Sequence, residues 1–331
     1  MGARKRHSPR RGSLAYSRRV RAKSMEARIR AWPKLDASAE PKILAHCGFK
    51  AGCVQIVSID DRDKVPNAGK QLVSLGTVLV TPPVLILGIR GYSKDHYGRH
   101  AEFDVYAEDI PKNIAKEITI KNIEGSIDNA EKRLKKIKEI FAIVAISPRA
   151  AGLEQKKPYI FEASVSGGDI EKQFAHVKES LGKEIKIDQI FETGATVDVA
   201  AITKGHGWQG VLKRWNVKKK QHKSRKTVRE VGSLGPISPQ SVMYTVPRAG
   251  QMGFHQRTEY DKRIMIMGNT DADEIKINPD GGYKHFGLVK GDFIILKGSV
   301  PGTYKRLIKL RSQIRNAPAK VSKPNILEVV V

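Results

Sequence analysis

Charge runs along this chain in blocks, and the block from Thr203 to Arg229 limits the fold most. It holds ten Lys/Arg and no acid in 27 residues. A run of like charge repels itself and gains nothing from burial, so it lies outside any core and is either solvated or set against a polyanion. Two more basic segments accompany it. Residues 1–30 carry 11 Lys/Arg and one acid, and residues 284–331 carry ten and two. Residues 31–202 balance at 24 and 24, and residues 264–283 carry one base and four acids. More than half of the chain is therefore neutral globular sequence, and the net charge of +26 collects in an arm, a central stretch and the C-terminal region. With 331 residues and 40% hydrophobic content, about two domains with a substantial core are expected.

Nucleic acid fits this pattern better than a membrane surface. The longest apolar stretch, Val78 to Ile89, is broken by Thr81, Pro82 and Pro83 and falls short of the roughly 20 residues a spanning helix needs. No apolar segment of a secretory signal follows Met1. The Arg-rich first 30 residues match a transit peptide in composition only, since Pro9 and paired arginines leave no amphipathic period. Trp208 and Trp215 lie inside the basic block. Aromatics among Lys and Arg suit RNA, where cations meet phosphates and rings stack on bases, although either Trp could instead anchor the block to the core.

The remaining patterns predict a mainly β protein. Residues 1–35 read as an extended arm. Gly52–Ile59, Val73–Val80 and Val84–Ile89 read as strands, with Pro82-Pro83 as a connection. Ile127–Phe141 has helical apolar spacing, Phe141–Ile146 and Pro158–Val165 are strand-like, and Ile170–Leu181 is a second helix with Asp169 as its cap. Ile185–Ile190, Ala195–Ile202, Ile264–Met267, Asp292–Lys297, Tyr304–Arg311 and Ile326–Val331 complete the strands. A sheet entered at residue 46 and closed by residues 264–331 implies one barrel with an α/β insertion. The expected division is a basic arm (1–45), a β-barrel core (46–109 with 264–331), an α/β insertion (110–202), and barrel strand plus basic extension (203–263). Within the last, Gly and Pro punctuate residues 232–253 too densely for a core.

Chemistry that would mark an enzyme is missing from the sequence. No Walker loop, H-E-x-x-H or G-x-S-x-G occurs. Gly205, Gly207 and Gly210 lack the strand–loop–helix setting of a dinucleotide site. His96 and His100 read as surface residues and Asp60 to Asp63 as a turn. Cys47 and Cys53 cannot build a disulfide framework and are expected as buried thiols. An RNA-modifying enzyme, a DNA-architectural protein and a targeted organellar protein are the rival readings.

Three strings then carry a resemblance. GHGWQGVLKRW (Gly205 to Trp215) is similar to the G-x-G-x-x-G-x-x-K-R-[WH] signature of the universal large-subunit ribosomal protein three family. AGQMGFHQRTE (Ala249 to Glu259) and SPRRGSLAY (Ser8 to Tyr16) resemble two further segments of that family. The order is right, and the likeness runs over nearly the whole chain. The resemblance implies a translation-factor-like closed β-barrel with an α/β insertion and long basic extensions. It also implies a cytoplasmic, ribosome-bound structural protein that binds ribosomal RNA, joins the large subunit early and reaches toward the peptidyl-transferase centre. The chain ends without the tail of eukaryotic members, so the likeness is to archaeal ones. The implied partners are ribosomal RNA and neighbouring ribosomal proteins, with no membrane and no homo-oligomer. No cofactor is implied beyond magnesium ions belonging to the RNA.

The expected RNA contacts begin in the arm with Arg4, Lys5, Arg6, His7, Arg10, Arg11, Arg18 and Arg19. In the block they are Lys204, His206, Trp208, Lys213, Arg214, Trp215, Lys218, Lys219, Lys220, His222, Lys223, Arg225, Lys226 and Arg229. Gln251, His255, Gln256 and Arg257 are suited to bond bases or 2′-hydroxyls. Gly235, Pro236 and Ile237 form the expected tip, where the family often places Trp after Gly-Pro; Ile237 can pack there but cannot stack as indole does.

Overall fold

The computed structural model describes residues 12–16, 19–62, 64–116, 126–224, 227–238, 240–271, 275–315 and 322–331. Arg4, Lys5, Arg6, His7, Arg10, Arg11, Arg18, Arg225 and Lys226 lie outside the described residues. The strands are β1 (Lys42–Ile43), β2 (Ala45–Ile59), β3 (Gln71–Val80), β4 (Val84–Asp95), β5 (Gly98–Tyr106), β6 (Glu139–Ile146), β7 (Tyr159–Ser166), β8 (Glu184–Ile185), β9 (Thr196–Ile202), β10 (Gly205–Gln209), β11 (Gly250–Gly253), β12 (Gln256–Asn269), β13 (Asp292–Lys297), β14 (Leu307–Ser312) and β15 (Ile326–Val330). The helices are α1 (Lys112–Ala115), α2 (Ser126–Arg133), α3 (Ile170–Glu179) and α4 (Val211–Trp215). Two compact units result: Met1–Met25 with Ile202–Gln256, and Glu26–Ala201 with Arg257–Val331. No described helix is long and apolar enough to cross a membrane.

The larger unit is mainly β. Seven strands run β14-β9-β12-β13-β3-β2-β15, and β14 also pairs β2. A second sheet runs β1-β7-β6-β4-β5, with β8 on β4. Strands such as Asp292–Lys297 are apolar on consecutive residues because both of their faces are covered. Phe293 and Ile295 enter one core with Phe49, Ile86 and Phe161, while Ile294 and Leu296 enter another with Val199, Ile264, Ile308 and Leu310. Pro82-Pro83 lies where the chain passes from β3 in one sheet to β4 in the other. Proline cannot donate to a ladder, so pairing stops there.

The pairing groups the strands differently from the expected division at residue 110. Strands β4 and β5 join β6 and β7 in one sheet, and β9 joins β14 in the other. Local patterning marks strands but not their partners, which only the pairing reveals. The expected helix 127–141 is shorter. α2 ends at Arg133, one 3₁₀ turn covers Leu134–Lys136, and β6 begins at Glu139. The Lys138 N–H donates to the Tyr92 carbonyl at 2.9 Å, so pairing with β4 captures the segment. The expected strand Ile185–Ile190 keeps two residues. Ile187–Gln189 is a 3₁₀ turn that buries Ile187, with Phe191 close behind, in the second core. Asp169 takes the N-cap position of α3 without a side-chain bond. Cys47 is buried as expected, and burial raises its thiol pKa, whereas Cys53 is exposed.

Among the described residues of this unit three Lys and Arg side chains are buried, each with its own compensation. Lys50 Nζ donates to Val300 O at 2.5 Å. Lys309 Nζ lies 3.3 Å from Glu26 and 4.5 Å from the Phe161 ring centroid. Its pKa is lowered by burial, which Glu26 partly offsets. Arg311 pairs with the buried Asp198 and donates to Ala31 O at 2.5 Å, while Asp198 also accepts from the Asp261 N–H at 3.2 Å. Removing one member of a buried pair strands the other charge. Arg311→Met should therefore cost about 3–5 kcal/mol in a denaturant titration, and the added substitution Asp198→Asn should recover part of it.

His46 is fully buried, and burial lowers its pKa to about 4, with Asp188 the nearby charge acting in the opposite direction. The folded imidazole stays neutral while the unfolded one takes up a proton below pH 6.5. Stability from this site is thus complete above pH 6.5 and is lost as pH falls toward 4, by roughly 3 kcal/mol. Unfolding measured across that window should show this limb in the parent chain and lose it in His46→Leu. Equal slopes would refute it.

Candidate nucleic-acid interface

The smaller unit is built on a two-stranded antiparallel ribbon, β10 with β11, in the register Trp208↔Gln251 and Gln209↔Gly250. Its first resemblance string contributes β10 and α4, and its second contributes β11. Strings about forty residues apart in sequence thus become neighbours across one ladder. Gly253 closes the ribbon with φ +74, and a Cβ there would stand 1.9 Å from Lys204 O. Only glycine fits both the conformation and the space. Phe254 N then donates to Lys204 O at 3.1 Å, and Thr203 N to His255 O at 2.9 Å.

The two tryptophans take opposite roles. Trp215 is 5% exposed and its Nε1 donates to Arg248 O at 2.9 Å. The Arg19 guanidinium lies 4.3 Å from its ring centroid, and Gly12 packs so closely that a Cβ would come within 2.5 Å of the ring. Trp215 therefore anchors the unit, the alternative role its sequence setting left open, and its ring is closed to a base. Its neighbour Arg214 donates to Gln251 O and Arg248 O, both at 2.9 Å. Burial lowers the Arg214 pKa. Trp208 is 77% exposed, on the ribbon between His206 and Gln209.

The arm is tied to the same framework. Arg19 Nη1 donates to Arg214 O at 3.1 Å, Ala22 N to Phe254 O at 2.8 Å, and His255 Nδ1 lies 2.8 Å from Val20 O. Arg214, Arg19 and His255 thus serve the packing, a role that spacing alone did not signal. Gln251 turns its side-chain amide onto Gly253 O at 3.0 Å.

Lys204, His206, Lys213, Lys218, Lys219, His222, Lys223, Arg229 and Gln256 are exposed, and Lys220 is half-buried. Arg257 belongs to the larger unit and is half-buried. The described part of residues 216–249 contains turns but no helix or strand. Lys220 N donates to Val228 O, and Val246 N to Met243 O, both at 3.0 Å. Along this stretch Leu234, Val242, Met243 and Tyr244 are exposed, and Ile237 is 95% exposed. Gly235 and Pro236 beside it are exposed as well. The arrangement offers exposed cations and one accessible indole on a two-stranded ribbon, with an exposed apolar tip in the irregular stretch between its strands, which suits phosphate contact and base stacking.

The glycine argument gives a direct check. Gly253→Ala should destabilise by at least about 1–3 kcal/mol and speed amide exchange at Phe254. Gly210→Ala, at an ordinary φ of −72 with nothing within 4 Å, should change stability by no more than about 0.5 kcal/mol.

Comparison with known proteins agrees with the geometry. The sequence profile described as ribosomal protein L3 matches residues 1–330. Large ribosomal subunit protein uL3 of Methanococcoides burtonii is 40% identical over 331 residues, covering 98% of this chain and 97% of that protein. The uL3 proteins of Methanococcus vannielii and Methanothermobacter thermautotrophicus are 39% and 37% identical over 326 residues, covering 97% of this chain and 96% of each relative. Matched end to end by the profile and by full-length archaeal relatives, the chain belongs to the ribosomal protein L3 family.

Proposed function

We propose that this protein is a structural component of the large ribosomal subunit that binds ribosomal RNA through its smaller unit. The observation that carries the reading is Trp208, 77% exposed on the β10–β11 ribbon within a block of ten Lys/Arg and no acid from Thr203 to Arg229. Lys204, Lys213, Lys218, Lys219, Lys223 and Arg229 neutralise phosphates and release counterions. Trp208 stacks on an unpaired base, and His206, His222 and Gln256 bond base edges or 2′-hydroxyls. The exposed tip, Gly235-Pro236-Ile237, reaches toward the peptidyl-transferase centre. Trp215, Arg214 and His255 hold the ribbon and arm in shape for that contact.

The family is one of structural ribosomal proteins, and the chain is not an enzyme. The role needs no cofactor of its own. The pairing order β14-β9-β12-β13-β3-β2, with β14 returning to β2, supports a six-strand barrel of the translation-factor kind. The sheet formed by β4 to β7 supplies a surface for neighbouring ribosomal proteins. A rigid body with two basic segments can staple RNA regions distant in sequence, which suits early assembly in the cytoplasm as a single copy.

Sedimentation of lysate on sucrose gradients tests the placement. The chain should travel with the large subunit at 0.1 M salt and remain there at about 1 M, where the Debye length is roughly 3 Å. A free chain at low salt would sink the proposal. Replacing Lys218, Lys219, Lys220 and Lys223 by Gln should lower the slope of log affinity against log salt for ribosomal RNA by about 3.

A further inference from the structure

A second basic run lies in the half of the chain whose charge balances. Lys132, Arg133, Lys135, Lys136 and Lys138 put five cations into seven residues with no acid. All five are exposed, and among the described residues none forms an ion pair. Arg133 Nη1 instead donates to the Glu102 carbonyl at 3.1 Å. Ile137 is buried within the run, and the Lys138 N–H bonds to Tyr92 O at 2.9 Å. The run is therefore fixed against the hairpin formed by β4 and β5.

That hairpin ends in a two-residue turn, His96–Tyr97, between the paired residues Asp95 and Gly98. Asp95 Oδ1 accepts from the Tyr97 N–H at 2.8 Å and the Gly98 N–H at 3.0 Å, and lies 3.0 Å from His100 Nε2. The tip is thus braced from within, and it holds Tyr97 94% exposed. Lys94 beside it is exposed too. The last pair between β4 and β6 is Tyr92↔Glu139, so the hairpin runs beyond the sheet toward Tyr97, about 17 Å further along the strand. A full aromatic ring kept in water on a braced turn gains nothing for the free chain.

We infer that the run from Lys132 to Lys138 and the hairpin tip form a second RNA-binding surface, with the run's cations on backbone phosphates and Tyr97 stacked on an unpaired base. The inference rests on the RNA role proposed above but uses other residues, all in the larger unit. A protein partner fits less well, because a run of exposed Lys and Arg and a single exposed ring further along the hairpin lack the apolar centre that protein interfaces carry.

The test uses the full chain and large-subunit ribosomal RNA transcribed in vitro, with affinity followed against salt. Replacing Lys132, Lys135, Lys136 and Lys138 by Gln should lower the log–log slope by about 3. Tyr97→Ala should weaken binding roughly 5- to 150-fold with the slope unchanged, and Tyr97→Phe should retain affinity. All these side chains are exposed, and thermal melts should match the parent. If these variants bind like the parent while the Lys218–Lys223 variant is impaired, this inference alone is overturned. If neither set matters, the RNA reading itself fails. In assembled subunits, a photoreactive residue at position 97 should join to RNA, and joining to a ribosomal protein would overturn the second RNA surface.

Discussion

A chain with a net charge of +26 folds only if each cation is either matched inside or left in water. The larger unit shows the first solution. Lys50 is held by carbonyls, Lys309 by Glu26 and an aromatic face, and Arg311 by Asp198 and a carbonyl. Lys309 and Arg311 lie on alternate residues of β14 and face the same side, so one strand carries two buried charges. Their partners, Glu26 and Ala31, come from the irregular segment ahead of β1. That segment is therefore fixed by charge compensation as much as by apolar contact. The smaller unit shows the second solution, with Lys213, Lys218, Lys219 and Lys223 exposed and arginines 19 and 214 committed to carbonyls and an indole.

Much of this was legible in the sequence. Charge blocks separated the chain into a balanced part and basic parts. Strands with a β-branched pattern, such as Asp292–Lys297, were found at their true ends. What failed was partnership. Nothing local in Val84–Ile89 says that it pairs with β6 instead of β3, because the two prolines that redirect the chain look the same in either topology. Ile137 and Phe141 kept helical spacing although neither is helical: Ile137 is buried just past the 3₁₀ turn and Phe141 within β6, and spacing alone does not show where a helix gives way to a strand.

The site was legible as composition and obscure as geometry. Lys218 to Lys223 needed no structure to be read as surface charge. The roles of Trp208 and Trp215 could not be separated by sequence, because both sit among cations. The difference comes from Gly12, Arg19 and Arg248, which enclose one ring and leave the other bare. Arg214 likewise looked like a phosphate ligand, and its guanidinium is committed to two carbonyls that no spacing rule would find.

Under the RNA-binding role proposed above, the contact of Gly12 and Arg19 with Trp215 has a further consequence. It joins segments about two hundred residues apart into one closed loop within the protein itself. Two ligand-binding segments so tethered act as a bivalent reagent, since capture of one RNA strand raises the effective concentration of the other segment at its own strand. The entropy of bringing the two together is settled during folding of the protein, and on that proposal what remains is the ordering of the RNA.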